Sequence, residues 1–311
     1  MSRIIVTGIN GFVGKHLVAE LKLRGCTVIG VSREAQTHPS ISNSVDEYYA
    51  CDLINPEEVS KLPLSDIDGV INLAGFANVG ASFGQENLYM KVNVGVLSII
   101  GEEIVRQNLK TRILAISTGA VYSPNQPLPL SEPSKIITNG SPYALSKIAM
   151  EEEATRLRAN GLNCIIARPF NHIGPGQELG FLVPDLYKKM ITALESGGAV
   201  KVGNLSTKRD YTDVRDVVRA YADLILLKDL DYEIYNVCSG SSISGETIFD
   251  LLAKNIGDQK NIKAEVDQQF IRSNDPKDLY GDNTNLRNQT NWMPSIPLEQ
   301  TIKDFVDSKK S

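Results

Sequence analysis

The sequence is poor in the residues that bind metals or cross-link chains. Its four cysteines, Cys26, Cys51, Cys164 and Cys238, lie scattered in or beside apolar runs, with no CxxC pair. Its three histidines, His16, His38 and His172, have no metal-ligand spacing. A disulfide scaffold and a metal centre are therefore not expected; the thiols read as free core residues in a reducing compartment. Positive charge is not in excess either: 32 Lys plus Arg face 37 Asp plus Glu, a formal net charge of −5. Such a chain has no general attraction to nucleic acid or to anionic lipid, so any anionic ligand must be held by a few local cations. No apolar run reaches the roughly 18 residues of a membrane span. The opening MSRIIVTGINGF has no apolar core of a signal peptide. The expectation is a soluble, cytoplasmic protein with neither nucleic-acid nor membrane partners. Internal repeats, low-complexity tracts and heptads are also missing.

What is present is ordinary globular composition, 42% hydrophobic and 22% charged over 311 residues, enough for about two lobes. Short apolar runs alternate with amphipathic segments. Arg3–Thr7, Thr27–Ser32, Val70–Ala74, Arg112–Ser117 and Leu162–Arg168 read as strands. Gly14–Leu23, Asn87–Gln107 and Pro142–Asn160 read as helices. That alternation predicts an α/β fold, a doubly wound parallel sheet covered on both faces. Beyond Arg168 the rhythm changes. Asn171–Gln177 reads as a Gly/Pro-rich loop, a helix follows near Pro184–Leu194, and an irregular stretch runs to Asp213. Val214–Leu227 and Glu233–Cys238 again read as helix and strand. The expected division is a dinucleotide-binding domain over 1–170, with 213–240 returning to it. A smaller α+β substrate domain is expected from 171–212 and 241–311, with a turn at Gly240–Gly245 and a helix at Glu246–Asn255.

The first strand runs into Thr7-Gly8-Ile9-Asn10-Gly11-Phe12-Val13-Gly14 and then a helix. Gly8 permits a tight turn, Gly11 lets backbone approach a pyrophosphate, and Gly14 lets helix and strand pack closely. The free N–H groups at the helix start, around Phe12 and Val13, face the phosphates. At the end of the second strand an acidic side chain bonds the ribose 2′-hydroxyl of NAD; this sequence has Ser32-Arg33, with Glu34 one place on. A hydroxyl and a guanidinium suit a 2′-phosphate, so NADP(H) is favoured, with NAD(H) as the alternative. Asp52 and Leu53, after the next strand, are placed at the adenine, and Ala74 at the end of a later strand.

Ser141-Pro142-Tyr143-Ala144-Leu145-Ser146-Lys147 supplies an N-cap, a proline at the first helical position, and Tyr143 and Lys147 at i and i+4 on one helix face. A lysine ammonium beside a phenol favours the phenolate, so Tyr143 can exchange a proton with a carbonyl or alcohol. Ile116-Ser117-Thr118-Gly119-Ala120-Val121-Tyr122 puts hydroxyls at the C-terminal end of a strand, where ligands of open α/β sheets bind. Together the glycine turn, the Ser/Thr strand end and YxxxK resemble the extended short-chain dehydrogenase/reductase family, across essentially the whole chain. The resemblance implies a Rossmann-like fold and Thr118 as the catalytic Ser/Thr. It implies Tyr143 as acid/base and Lys147 as the residue that holds the nicotinamide ribose. It also implies a homodimer formed through the helices at Asn87–Gln107 and Pro142–Asn160.

Nucleotide-sugar branches of that family differ just after the threonine. Dehydratases carry carboxylates there and epimerase–reductases a cysteine; this sequence has Gly119 and Ala120, which move no protons. The segment Ala167-Arg168-Pro169-Phe170-Asn171-His172-Ile173-Gly174-Pro175-Gly176-Gln177 resembles the GDP-6-deoxy-4-keto-D-mannose reductases. That resemblance implies NAD(P)H-dependent reduction of the C4 ketone of a nucleotide-linked 4-keto-6-deoxyhexose. A dTDP-linked substrate, or a 4-epimerase with retained NAD, is the alternative. It also implies Arg209 and Arg272 on the substrate diphosphate, with Asn171 beside them, and Asn78 and Ser82 towards the sugar. For each arginine the bland reading is a surface ion pair, with Asp210 or Asp275. His172 reads as ordering its loop, with a base role as the weaker reading. A dinucleotide-sensing regulator without turnover is a rival from another class, disfavoured because the Tyr/Lys pair is present.

Overall fold

The computed structural model describes residues 1–257, 262–271 and 276–310. A strand–helix alternation fills the first half: β1 (Arg3–Thr7), α1 (Phe12–Leu23), β2 (Thr27–Ser32), β3 (Glu47–Ala50), α2 (Pro56–Val59) and β4 (Gly69–Asn72). It continues through α3 (Val79–Ser82), α4 (Glu86–Arg106), β5 (Arg112–Ile116), α5 (Pro142–Ala159) and β6 (Asn163–Pro169). The strands are apolar on both faces, as in Ile4, Ile5 and Val6 of β1, because helices cover the sheet on both sides. The sheet has seven strands in the order β11-β6-β5-β4-β1-β2-β3, every pair parallel. The order reverses between β1 and β4, so their C-terminal ends open a crevice where a ligand can enter.

The second half is irregular: β7 (Asn171–Ile173), α6 (Leu182–Ser196), β8 (Val200–Val202), β9 (Lys208–Arg209), β10 (Tyr211–Asp213), α7 (Val214–Leu226) and β11 (Ile234–Val237). Then come β12 (Ile243–Ser244), α8 (Gly245–Ile256), β13 (Ala264–Val266), β14 (Asp278–Leu279), α9 (Thr284–Thr290) and α10 (Leu298–Asp307). The first part of the expected Asn171–Gln177 loop is a strand, paired in parallel with β10.

One face of the sheet packs on α1 and α7 through Leu17, Val18, Leu21, Val217, Tyr221 and Leu224. The other packs on α4 and α5 through Val96, Ile100, Met150, Ala154 and Leu157. A separate core joins α6, α8 and α10 through Leu186, Met190, Ile248, Leu252, Ile302 and Phe305. Leu286 of α9 and Trp292, inside the expected 241–311 substrate segment, belong to the sheet-side core. The indole N–H donates to the Asp216 carbonyl on α7 at 2.9 Å, which draws this stretch back across the sheet lobe.

Candidate active site

The glycine turn is built for close approach. Gly8 has φ +64, and a Cβ there would stand 3.0 Å from the backbone nitrogen of Ala74. A Cβ at Gly14 would stand 2.3 Å from the Ile9 carbonyl oxygen, so only glycine lets α1 start directly over the turn. Gly11 is the N-cap of α1 and no side chain caps that end. The first N–H groups, from Phe12 to Gly14, are thus left for an external acceptor, which fits a pyrophosphate. The turn is tied to β4: the Thr7 hydroxyl donates to Asn72 Oδ1 at 2.7 Å and accepts from Ala74 N at 3.1 Å.

At the end of β2 Ser32 is buried, and its hydroxyl lies 2.6 Å from that of Tyr48 and 3.1 Å from Asn10 Nδ2. Arg33 is exposed. Glu34 turns back towards the same group, and the Ser32 hydroxyl with Glu34's own N–H holds its carboxyl below the usual range. The Glu34 carboxylate therefore borders this corner, with the exposed Arg33 beside it in the chain. Asp52 is half-buried, with its N–H bound to Glu58 at 2.7 Å, and Leu53 is buried behind it.

Ser141 caps α5 by accepting from Ala144 N at 3.2 Å, with Pro142 next in line. This sets Tyr143 on the first turn, facing the end of β5. The phenol is 8% exposed and faces the side chain of Thr118, whose Oγ1 accepts from Ala120 N at 3.2 Å. Lys147 is also buried, and its Nζ donates to the Ile116 carbonyl at 2.7 Å. Burial draws its amine down to about 8, against the opposing charge of Glu151. The expected lowering of the Tyr143 phenol is not found: burial pushes it up, and the nearby Thr118 hydroxyl offsets only part of that. Position 119 leaves no room for a side chain, since a Cβ at Gly119 would stand 2.9 Å from the Phe170 ring.

Beneath these groups lies a buried polar cluster that the sequence reading did not assign. Arg168 of β6 grips Glu151 of α5 through Nε (2.9 Å) and Nη2 (2.6 Å), and Ser117 Oγ donates to the same carboxylate at 2.5 Å. Arg168 Nη1 also donates to the Tyr122 hydroxyl at 2.9 Å. The signal was there in part: Glu151 continues the i, i+4 series from Tyr143 and Lys147.

On the substrate side the structure is mixed. Asn78 caps α3, accepting from Ala81 N at 2.9 Å, and donates to the Gly180 carbonyl at 3.2 Å. Ser82 is fully buried and its hydroxyl donates to Val79 O at 2.7 Å, so it is turned into local structure and not towards an open cleft. Asn171 is exposed at the start of β7. Arg209 is half-buried on β9 and donates to the carbonyls of Lys208 (2.6 Å) and Pro276 (2.8 Å). Asp210 does not serve it as an ion-pair partner. That carboxylate is fully buried and accepts from Ser239 N (2.8 Å), Ser239 Oγ (2.7 Å), Gly240 N (3.0 Å) and Gly281 N (3.3 Å). Arg272 and Asp275 lie outside the described residues. The His172 ring lies parallel to Phe12 of the glycine turn at 6.2 Å between centroids, and burial lowers its pKa. A neutral ring in that position ties the loop to the cofactor end. Among the described residues no cluster of three metal-ligating side chains occurs, and no helix is long and apolar enough to cross a membrane.

The sequence profile of the NAD dependent epimerase/dehydratase family matches residues 4–238. GDP-6-deoxy-D-mannose reductase of Pseudomonas aeruginosa is 30% identical over 99% of this chain and 97% of its own. GDP-6-deoxy-D-talose 4-dehydrogenase of Aggregatibacter actinomycetemcomitans is 30% identical over 92% of this chain and 90% of its own. The solved structure of RMD from Pseudomonas aeruginosa complexed with NADPH superposes with a TM-score of 0.83 at 28% identity, covering 99% of this chain and 98% of that one.

Proposed function

The chain belongs to the NAD dependent epimerase/dehydratase family and is an NAD(P)-dependent enzyme of nucleotide-sugar modification, and from that premise we propose that it reduces the C4 ketone of a nucleotide-linked 4-keto-6-deoxyhexose. The substrate of choice is GDP-4-keto-6-deoxy-D-mannose, with GDP-D-rhamnose or its C4 epimer GDP-6-deoxy-D-talose as product. The observation that carries this reading is the buried Tyr143–Thr118 pair, with Lys147 one turn along the same helix.

NADPH is the favoured cofactor, and when bound it supplies the hydride. Gly8, Gly11 and the α1 N-terminus from Phe12 to Gly14 would hold its pyrophosphate, Ser32 and Arg33 its adenosine ribose, and Asp52 and Leu53 the adenine. Ala74, Tyr143 and Lys147 would border the nicotinamide end. Tyr143, kept protonated by burial, donates its proton to the sugar C4 oxygen as negative charge develops there. Thr118 orients that oxygen through its hydroxyl and stabilises the phenolate left behind. Lys147, as an ammonium, adds a positive charge beside the site. Arg209 and Arg272, with Asn171 beside them, would hold the substrate diphosphate, and Asn78 would face the sugar; Ser82, whose hydroxyl is taken up by Val79, would not reach it. Residues 171–212 and 241–311 thereby supply the contacts to the diphosphate. The absence of carboxylates at Gly119 and Ala120 favours reduction over dehydration. A homodimer through α4 and α5 completes the reading.

The test is NADPH oxidation by the purified protein, measured across GDP- and dTDP-linked 4-keto-6-deoxyhexoses, with product configuration read by NMR. Turnover of the GDP-linked ketone supports the reading. Tightly retained NAD, with interconversion of C4 epimers and no net NADPH consumption, would assign the site to an epimerase.

A further inference from the structure

Glu151 sits one helical turn beyond Lys147 on α5, 8% exposed, and the reaction described above makes no use of it. A buried carboxylate is destabilising unless it is both paired and hydrogen-bonded. Here all the partners come from the sheet. Arg168 of β6 holds both oxygens at 2.9 and 2.6 Å, and Ser117 adds a third bond at 2.5 Å. Arg168 is itself fixed by the Tyr122 hydroxyl (2.9 Å) and the Glu132 carbonyl (3.0 Å), and Tyr122 donates on to Asn236 of β11 at 2.6 Å. The carboxylate is thus held in one place relative to three neighbouring strands.

Three consecutive residues, the last of β5 and the two that follow it, each meet a different residue of one face of α5. The Ile116 carbonyl accepts from Lys147, Ser117 donates to Glu151, and the Thr118 side chain faces the Tyr143 phenol. Moving any one contact shifts the other two, because the strand end spans only three residues. We propose that Glu151 is a positioning residue of the proton-transfer site: through Ser117 it fixes the strand end that carries Thr118, and it supplies the negative charge that faces Lys147. This rests on the acid–base reading of Tyr143 and Lys147.

The charges around the pair leave that second task to Glu151. Tyr89 of α4 and Tyr221 of α7 approach Tyr143 as phenols whose pKa values burial raises. Arg168 of β6 is committed to Glu151. The Glu132 carboxylate is occupied elsewhere, accepting from Asn236 N at 2.9 Å. α3 and the turn at Gly119–Val121 bring no titratable side chain. With burial alone Lys147 would lose its proton at a lower pH than the value of about 8 it has beside Glu151.

The experiment is NADPH binding followed by fluorescence from pH 6 to 10, in the full-length wild type, Glu151→Gln and the double variant Glu151→Gln/Arg168→Gln. The double variant removes the unpaired buried guanidinium, so it reports even where the single variant does not fold. The wild type is expected to lose affinity as Lys147 deprotonates, near pH 8. Without the carboxylate that loss should come roughly one pH unit lower, so that affinity is down about fivefold at pH 8 and about tenfold well above it, and Glu151→Asp should restore most of it. A folded variant whose binding curve against pH coincides with the wild type overturns the proposal. Tyr143→Phe separates the two claims. If it leaves NADPH oxidation intact, the acid–base reading itself fails. If it abolishes turnover while the Glu151 variants keep the wild-type pH dependence, only the role of Glu151 fails.

Discussion

A phenol that donates a proton must still hold it when the carbonyl arrives, and burial of Tyr143 beside Thr118 keeps it protonated. Replacing Tyr143 by Phe removes the acid but keeps the ring, so turnover should fall by ~10²–10⁴ with the circular dichroism spectrum unchanged. Lys147 carries a pH signature of its own. Its folded value of about 8 lies below the ordinary lysine range, so between the two the unfolded chain binds more protons than the native one. Stability therefore rises with pH across that window, and the cost of the buried charge is fully present below it. Lys147→Met should lack the rise, as read by urea unfolding at pH 7.5 and 10. The spacing of Tyr143 and Lys147 was legible because both lie on one face of a helix whose start is marked by Ser141-Pro142. Glu151 was not, although it continues the same spacing. An acid on a helix is ordinarily solvated, and its burial depends on Arg168, which arrives on another strand.

At the scale of elements, the junction of β1, the glycine turn and α1 is the most demanding piece of backbone. Gly14→Ala forces a methyl to 2.3 Å from the Ile9 carbonyl. The expected loss is about 1–3 kcal/mol in urea unfolding, with NADPH binding weakened as α1 is pushed from the turn. Gly95 within α4 is the control: the nearest atom to a Cβ there is 3.9 Å away, so Gly95→Ala should stabilise by about 0.5–1 kcal/mol. The long elements of the first half were readable because buried parallel strands are continuous apolar runs and their helices are long enough to show a stripe. The pieces β7 to β10, β12 and β14 are two or three residues long, too short to carry any period. α10 is absent from the sequence expectation although Ile302, Phe305 and Val306 recur at helical spacing; its partners on α6 and α8 complete the stripe only in three dimensions.

At the scale of the whole molecule, an acidic chain must hold an anionic cofactor and an anionic substrate with few cations. NADPH at a hundred times its dissociation constant should stabilise the fold by about 2.7 kcal/mol, read as a rise in melting temperature. NADH at the same concentration should give the smaller rise, and Arg33→Ala should bring the two together. The place of Trp292 in the sheet-side core was not legible, because it depends on a hydrogen bond to Asp216, 76 residues away. The most direct test of the central claim uses NADPH deuterated at the transferable C4 position of its nicotinamide, with GDP-4-keto-6-deoxy-D-mannose. NMR of the product should show one deuterium on sugar C4, delivered in step with cofactor oxidation. A product without deuterium at that carbon, or a ketone left untouched while the enzyme binds NADPH, would contradict it.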